Sequence, residues 1–178
     1  KISNDLRLLS SGPRAGFNEI NLPRMQPGSS IMPGKVNPVI PEVVNQVAFY
    51  VIGADTTVTM AAEAGQLQLN VMEPVISYSL FNSIKFLARA CDTLRTKAID
   101  GITANKQHLA NMVMNSVGIV TLLNPILGYE VSSSIAKEAL DENKSIYDIA
   151  VKERKLISQE KWDELFKFEN LINPKFIL

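Results

Sequence analysis

Hydrophobic positions return every three or four residues along most of this chain, with one long interruption. Ile2, Leu6 and Leu9 fall on one face of a short amphipathic helix, which Gly12-Pro13 stops. From Glu42 the pattern resumes as VVNQVAFYVIGADTTVTMAAE, apolar almost all round, with mostly small or neutral polar groups. Such a helix is buried on most sides. Its β-branched residues also suit a strand, but the run is too long for one strand. Gly65 breaks it. Asn70 then stands three residues before Glu73, as a capping box would, with Pro74 in the first turn of a second helix that runs to about Lys97. Two helices of about 25 residues, each about 37 Å long, joined by a short turn, predict an antiparallel hairpin in a bundle.

Beyond Gly101 the helical pieces become shorter and more charged. They are expected near 104–115, 117–124, 130–142, 145–153 and 158–167, with Ser145 and Ser158 as N-caps. Trp162, Leu165 and Phe166 give the last an apolar face. The expected fold is therefore all-α: a long-helix bundle over residues 1–102, then a small helical C-terminal domain over 103–178. There is no internal repeat and no low-complexity tract.

Composition narrows the function classes. Eighteen basic residues balance eighteen acidic ones, and no basic stripe stands out, which argues against a nucleic-acid partner. No apolar run approaches the length that spans a bilayer, so no membrane partner is expected. The single cysteine, Cys91, excludes an internal disulfide framework and suits a reducing, cytoplasmic compartment. Its setting, FLARACDTL, predicts a packed core residue. The chain opens on KISNDLRLL rather than Met, as if partway along a helix, and is expected to be a piece of a longer protein.

The interruption carries the chemistry. Six of the nine prolines and four of the nine glycines lie between Gly12 and Pro41. An irregular segment this long inside a compact domain is usually functional or disordered. Its low charge and its hydrophobes, among them Phe17, Ile20 and Ile31, argue against disorder. Its densest part is GSSIMPGKVNP, Gly28 to Pro38. The glycines let backbone approach a ligand, Pro33 and Pro38 limit the path, Lys35 supplies a fixed charge, and Asn37 offers a donor and an acceptor. Backbone N–H groups of a Gly-Ser-Ser turn form an anion nest. The set suits a carboxylate or a phosphate, with Ser29 or Ser30 as donor, nucleophile or activated base. Gly34-Lys35 is followed by Val36, which is not the Ser/Thr of a nucleotide-binding P-loop. A structural loop with N-cap serines fits the composition equally well.

GSSIMPGKVNP resembles the signature loop of the fumarase/aspartase superfamily, G-S-S-x-M-P-x-K-x-N, at every defined position. The flanks KISNDLRLLSSGPRAGFNEINLP and PEVVNQVAFYVIGADTTVTMAAEAGQLQLNVMEPVI are similar to the segments around that loop, and the tail from GITANKQHL onward also fits. TTVTMAAEAGQLQLNVMEP and GITANK resemble the aspartase branch more than the fumarase branch. The resemblance implies the C-terminal part of a subunit well over twice this length, in a homotetramer with sites shared between subunits. It implies reversible elimination of ammonia from L-aspartate, giving fumarate through an enediolate, with no cofactor and no metal. Ser29 then falls on the base, on a flexible loop, and Ser30, the Met32 N–H, Lys35 and Asn37 on groups that bind substrate carboxylate. Glu42 stands where fumarases pair a glutamate with a site histidine, and equally suits a first-turn acid on the helix dipole. His108 does not match that histidine and is expected at the surface or partly buried. Glu63, Gln66 and Asn70 are explained by capping and subunit packing. Two other readings stay open: a class II fumarase, and a non-catalytic helical oligomerisation module.

Overall fold

Ile2, Leu6 and Leu9 do lie on one helix, α1 (Ile2–Leu9), in a computed structural model that describes residues 1–26, 28 and 31–172. The long apolar run forms α2 (Val39–Glu63), and its partner is α3 (Glu73–Lys97). α2 begins at Val39, ahead of the expected Glu42. Pro41 occupies its first turn, where a backbone N–H has no intrahelical acceptor to lose. The two helices form a hairpin: Tyr50 and Phe86, set symmetrically about the turn, meet edge to face with ring centroids 5.3 Å apart.

The turn corrects one expectation. Asn70 does not close a capping box on Glu73. Its Oδ1 accepts the Met72 N–H at 2.8 Å, while its Nδ2 donates to the Ala61 carbonyl at 3.0 Å. Asn70 thus bonds a carbonyl at the end of α2 and the N–H of Met72, the residue that caps α3, and not the N–H of Glu73. Gln66 and Leu69 exchange backbone hydrogen bonds of 2.8 and 3.0 Å across the turn.

Most buried positions on the long helices hold small residues. Ala61, Ser79, Ser83 and Ala90 are buried there or nearby, whereas Phe49, Ile52, Phe81 and Ile84 are each more than 60% exposed in the single chain. The all-round burial expected of α2 is therefore not achieved within one chain. Cys91 is corrected likewise: it is exposed, because the buried stripe of α3 passes through its neighbour Ala90, a turn of about 100° away.

A feature with no periodic signal ties this unit together. Ile20–Asn21 (β1) pairs antiparallel with Thr103–Ala104 (β2), Ile20 opposite Ala104 and Asn21 opposite Thr103. The chain divides into two compact units, Lys1–Lys106 and Gln107–Leu178, and both strands belong to the first.

The second unit has a conventional core. Past α4 (Lys106–Met114) it holds a 3₁₀ turn (Val117–Leu123), α5 (Asn124–Leu127), α6 (Tyr129–Asp141), a π-turn (Asp148–Glu153), α7 (Gln159–Leu165) and α8 (Phe168–Ile172). Ser145 and Ser158 cap as expected, each accepting a backbone N–H three residues on, from Asp148 at 3.0 Å and Lys161 at 3.2 Å. Lys152 and Ser145 donate to the Asp148 carboxylate and hold it below the ordinary carboxylate range. Leu123, Ile135 and Ile149 are fully enclosed, and Trp162 stacks on Phe166 with centroids 3.9 Å apart.

Truncating one of these enclosed side chains leaves a cavity the packed walls fill only in part. Ile149→Ala is expected to destabilise this unit by about 2–5 kcal/mol. Denaturant unfolding followed by the fluorescence of Trp162, the only tryptophan, measures it. A loss under about 0.5 kcal/mol, the usual range for a surface substitution, would contradict this core.

Candidate active site: a cationic cleft beside the GSSIMPGKVNP loop

The irregular connector is folded back on α1 before it reaches the loop. Ser11 is its pivot. The Ser11 hydroxyl donates to the Leu8 carbonyl at 2.6 Å and accepts the Phe17 N–H at 3.0 Å, and the Ser11 carbonyl accepts the Asn18 N–H at 2.7 Å. Gly16 is required by this closure, since a Cβ there would lie 2.5 Å from the Ser11 carbonyl carbon. On α1, Asn4 and Arg7 both reach Asn45 of α2, at 2.9 and 3.4 Å, and Asn45 is buried.

The next stretch is held by the tract that follows α3. Asn105 donates its amide to the Asn18 carbonyl at 2.7 Å, its backbone N–H bonds the Glu19 carbonyl at 2.9 Å, and its Oδ1 accepts from Asn21 at 2.7 Å. Asn21 also donates to the Thr103 hydroxyl at 3.1 Å. Pro23 packs so closely on Gly101 that a Cβ at Gly101 would fall 2.6 Å from its ring. The position of Arg24, immediately after Pro23, is therefore set by backbone pairing and by packing.

Among the described loop residues, the Lys35 N–H donates to the Met32 carbonyl at 3.2 Å, and Gly34 takes a positive φ of 78°, the left-handed turn that favours glycine. A Cβ at Gly28 would lie 1.6 Å from the Lys35 carbonyl oxygen, so the backbone at 28 and at 35 is in direct apposition. Asn37 is half-buried, and its carbonyl accepts the Val39 N–H at 2.9 Å. Glu42 is a first-turn acid of α2 and is half-buried; its N–H bonds the Pro38 carbonyl at 3.1 Å. Met32 and Lys35 are exposed. Ser29 and Ser30 lie outside the described residues. His108 is on α4, in the second unit, and exposed.

Two clefts open here, of about 570 and 520 Å³. Arg24, Gly34, Lys35 and Val36 line both. Asn21 and Asn37 line the larger, and Gln26 and Gly28 the smaller. No aspartate or glutamate lines either among the described residues. Cations, amides and glycine backbone without a balancing acid make a place for an anion. Of the expected site residues, Lys35 and Asn37 come together in the larger cleft; Met32 and Glu42 do not line it. Sequence reasoning passed over Arg24, Asn21 and Asn105. The GITAN tract was noticed only as part of a resemblance, and its physical work as an anchor shows in the hydrogen bonds alone.

Residues 1–53 match the family described as lyase, and residues 119–173 the family described as fumarase C C-terminus. The chain is 66% identical over 174 residues to the aspartate ammonia-lyase of Helicobacter pylori, covering 98% of this chain and 37% of that protein. It is 58% identical over 176 residues to the aspartate ammonia-lyase of Escherichia coli strain K12, covering 99% and 37%. The solved structure of a class II fumarase from Schistosoma mansoni superposes with a TM-score of 0.88 at 37% identity, over 97% of this chain and 36% of that one. The chain thus spans about 37% of the length of the curated relatives it matches.

The apposition of Gly28 and Lys35 has a direct test. Gly28→Ala forces the two backbones apart, whereas Gly34→Ala meets open space and costs only the strain of its positive φ, about 1 kcal/mol. Hydrogen exchange across residues 31–36 is expected to rise at least about tenfold in Gly28→Ala, with α2 still protected. Unchanged exchange there would show that the loop ends do not depend on this contact.

Proposed function

The chain belongs to the fumarase/aspartase superfamily, of whose subunits it is the C-terminal part, and from that premise we propose that it carries the carboxylate-binding loop of an aspartate ammonia-lyase. The observation that carries this reading is the 66% identity to such an enzyme over nearly the whole chain. An acid-free cleft holding Lys35 and Asn37 supports it. The reaction is deamination of L-aspartate to fumarate and ammonia.

Its chemistry sets the demands on the site. The proton to be removed sits on the carbon next to the β-carboxylate. Removing it leaves a dianionic enediolate, and collapse of that species breaks the neighbouring C–N bond and releases ammonia. The proton is weakly acidic, so most of the barrier must be met by stabilising the enediolate charge. Lys35 places a full positive charge at that carboxylate, and Asn37 and the backbone N–H groups of the loop, Met32 among them, add fixed dipoles. Ser29 takes the proton as an oxyanion. Its pKa falls when cations and N–H groups surround it and water is excluded. Ser30 holds substrate carboxylate beside it. Glu42 supports the site by orienting a histidine from another segment of the whole subunit.

The outward large residues of α2 and α3 support a homotetramer in which copies cover these faces and share sites. Monomeric proteins rarely leave apolar surface of this kind in contact with water. The whole protein is expected to sediment at four times its subunit mass, and a monomer would overturn that arrangement. Its compartment is proposed to be the cytoplasm.

Assay of the full-length protein with aspartate and with malate tests the reaction. Ammonia release from aspartate supports the ammonia-lyase. Turnover of malate alone would make it a fumarase instead, the reading that the Schistosoma mansoni likeness favours. Two substitutions then separate the roles. Ser29→Ala is expected to lower kcat by about 10²–10⁴-fold, the usual contribution of a positioned base, with substrate still bound. Lys35→Ala removes one partner of a charge pair worth about 2–5 kcal/mol, and is expected to raise KM and lower kcat together. A near-normal kcat for Ser29→Ala would remove it as the base.

A further inference from the structure

Asn105 does not line the larger cleft, yet Asn18 and Asn21, the two residues its side chain bonds, both do. A backbone group settles which way its amide points. A carbonyl only accepts, so the end of Asn105 that lies 2.7 Å from the Asn18 carbonyl is the NH₂. The same NH₂ donates to Asn18 Oδ1 at 3.1 Å. Asn105 Oδ1 is left to accept, and Asn21 Nδ2 donates to it at 2.7 Å. That Nδ2 also donates to the Thr103 hydroxyl at 3.1 Å. Both donors of Asn21 are thus used on the tract behind the cleft, and turning either amide over would set oxygen against oxygen.

Asn18 is the residue that most needs such a hold. Its φ is 49°, in the left-handed region that costs an L residue about 1–2 kcal/mol. A conformation of that kind persists where the surroundings fix it. Asn105 bonds both the carbonyl and the side chain of Asn18. The course of residues 18–21 past the cleft is therefore set by one half-buried amide from the tract after α3.

We propose that Asn105 is a positioning residue for the cleft: through Asn18 and Asn21 its amide fixes the wall against which substrate binds, without touching substrate. The inference rests on the ammonia-lyase reading for the reaction assayed, while its exchange measurement does not.

The experiment compares the full-length protein with Asn105→Ala, Asn105→Asp, Asn21→Ala and the Asn21→Ala/Asn105→Ala double variant. In Asn105→Ala the backbone bond to Glu19 survives and only the side-chain bonds are lost. Hydrogen exchange over residues 18–21 is expected to rise about tenfold, with α2 and α3 as protected as in the wild type. A wall displaced by about 1 Å is expected to lower kcat/KM by about 10–100-fold. Because binding is lost rather than chemistry, most of this falls on KM. Asn105 acts through its partners, so the double variant should fall no more than about threefold below the worse single one, and not by the product of the two. Asn105→Asp keeps the shape of the side chain. Its ionised carboxylate has no proton for the Asn18 carbonyl, whereas its protonated form regains that donor and keeps an acceptor for Asn21. The carbonyl favours the protonated form and raises this carboxyl above its ordinary value of about 3.9. The kcat/KM of Asn105→Asp relative to the wild type should therefore climb as the pH falls from about 8 to about 5, while the ratio for Asn105→Ala stays flat. Unchanged exchange, a loss carried by kcat alone, a multiplicative double variant, or an Asn105→Asp ratio indifferent to pH overturns the proposal. A wild type that releases no ammonia from aspartate defeats the ammonia-lyase reading, and exchange in Asn105→Ala then decides the role of Asn105 by itself.

Discussion

The cleft exists because a two-residue ladder holds the connector against the end of α3. Among the described residues from Ser10 to Pro38 there is no helix to satisfy the backbone, and unpaired polar groups in packed surroundings cost about 1–3 kcal/mol each. The Ile20–Asn21 pairing with Thr103–Ala104 meets part of that demand, and Asn105 meets more of it through three separate partners around Asn18, Glu19 and Asn21. These contacts join residues more than eighty positions apart. They fix where the chain is when it reaches Pro23, and therefore where one wall of the cleft stands. The other wall follows from α2, which starts immediately after the loop and is tied to α1 through the buried Asn45.

The two units illustrate opposite uses of apolar residues. Gln107–Leu178 buries isoleucine, leucine and tryptophan around one centre and leaves charges outside. Lys1–Lys106 does the reverse along its long helices, where alanine and serine hold most buried positions and aromatic and branched residues face outward. Small residues let the two backbones approach, but they bury little apolar area, at about 25 cal/mol per Å². Such a hairpin is weakly stabilised alone and gains most from surfaces laid over its outer faces.

Periodicity made the helices legible and left the tertiary fastenings hidden. Both 25-residue helices, the two serine caps and the buried face of Trp162, Leu165 and Phe166 follow from spacing and local chemistry. A two-residue strand is too short to show alternation, so β1 and β2 left no signal. Asn70 illustrates a second limit: an asparagine between two helices has both a donor and an acceptor, and only the fold shows that it spends one on each. Cys91 illustrates a third, since an apolar helix pattern says which residues avoid water but not whether their own chain covers them. The loop was legible as a glycine- and proline-rich interruption through its residue types, whereas the clefts that Lys35 lines together with Arg24 become visible only in the fold.

The division between a fixed wall and a glycine-flanked loop has a chemical logic. Charge on a bound anion is stabilised best by groups already in place, because reorganising dipoles costs part of what they return. Arg24, Asn21 and the ladder behind them are positioned by long-range contacts, so they form the preorganised wall of the cleft. Lys35 and Asn37 sit on a segment whose mouth is set by the apposition of Gly28 and Lys35. The two sides of the cleft are thus held by different kinds of contact, one by pairing with Thr103–Ala104 and the other by the backbone apposition of Gly28 and Lys35.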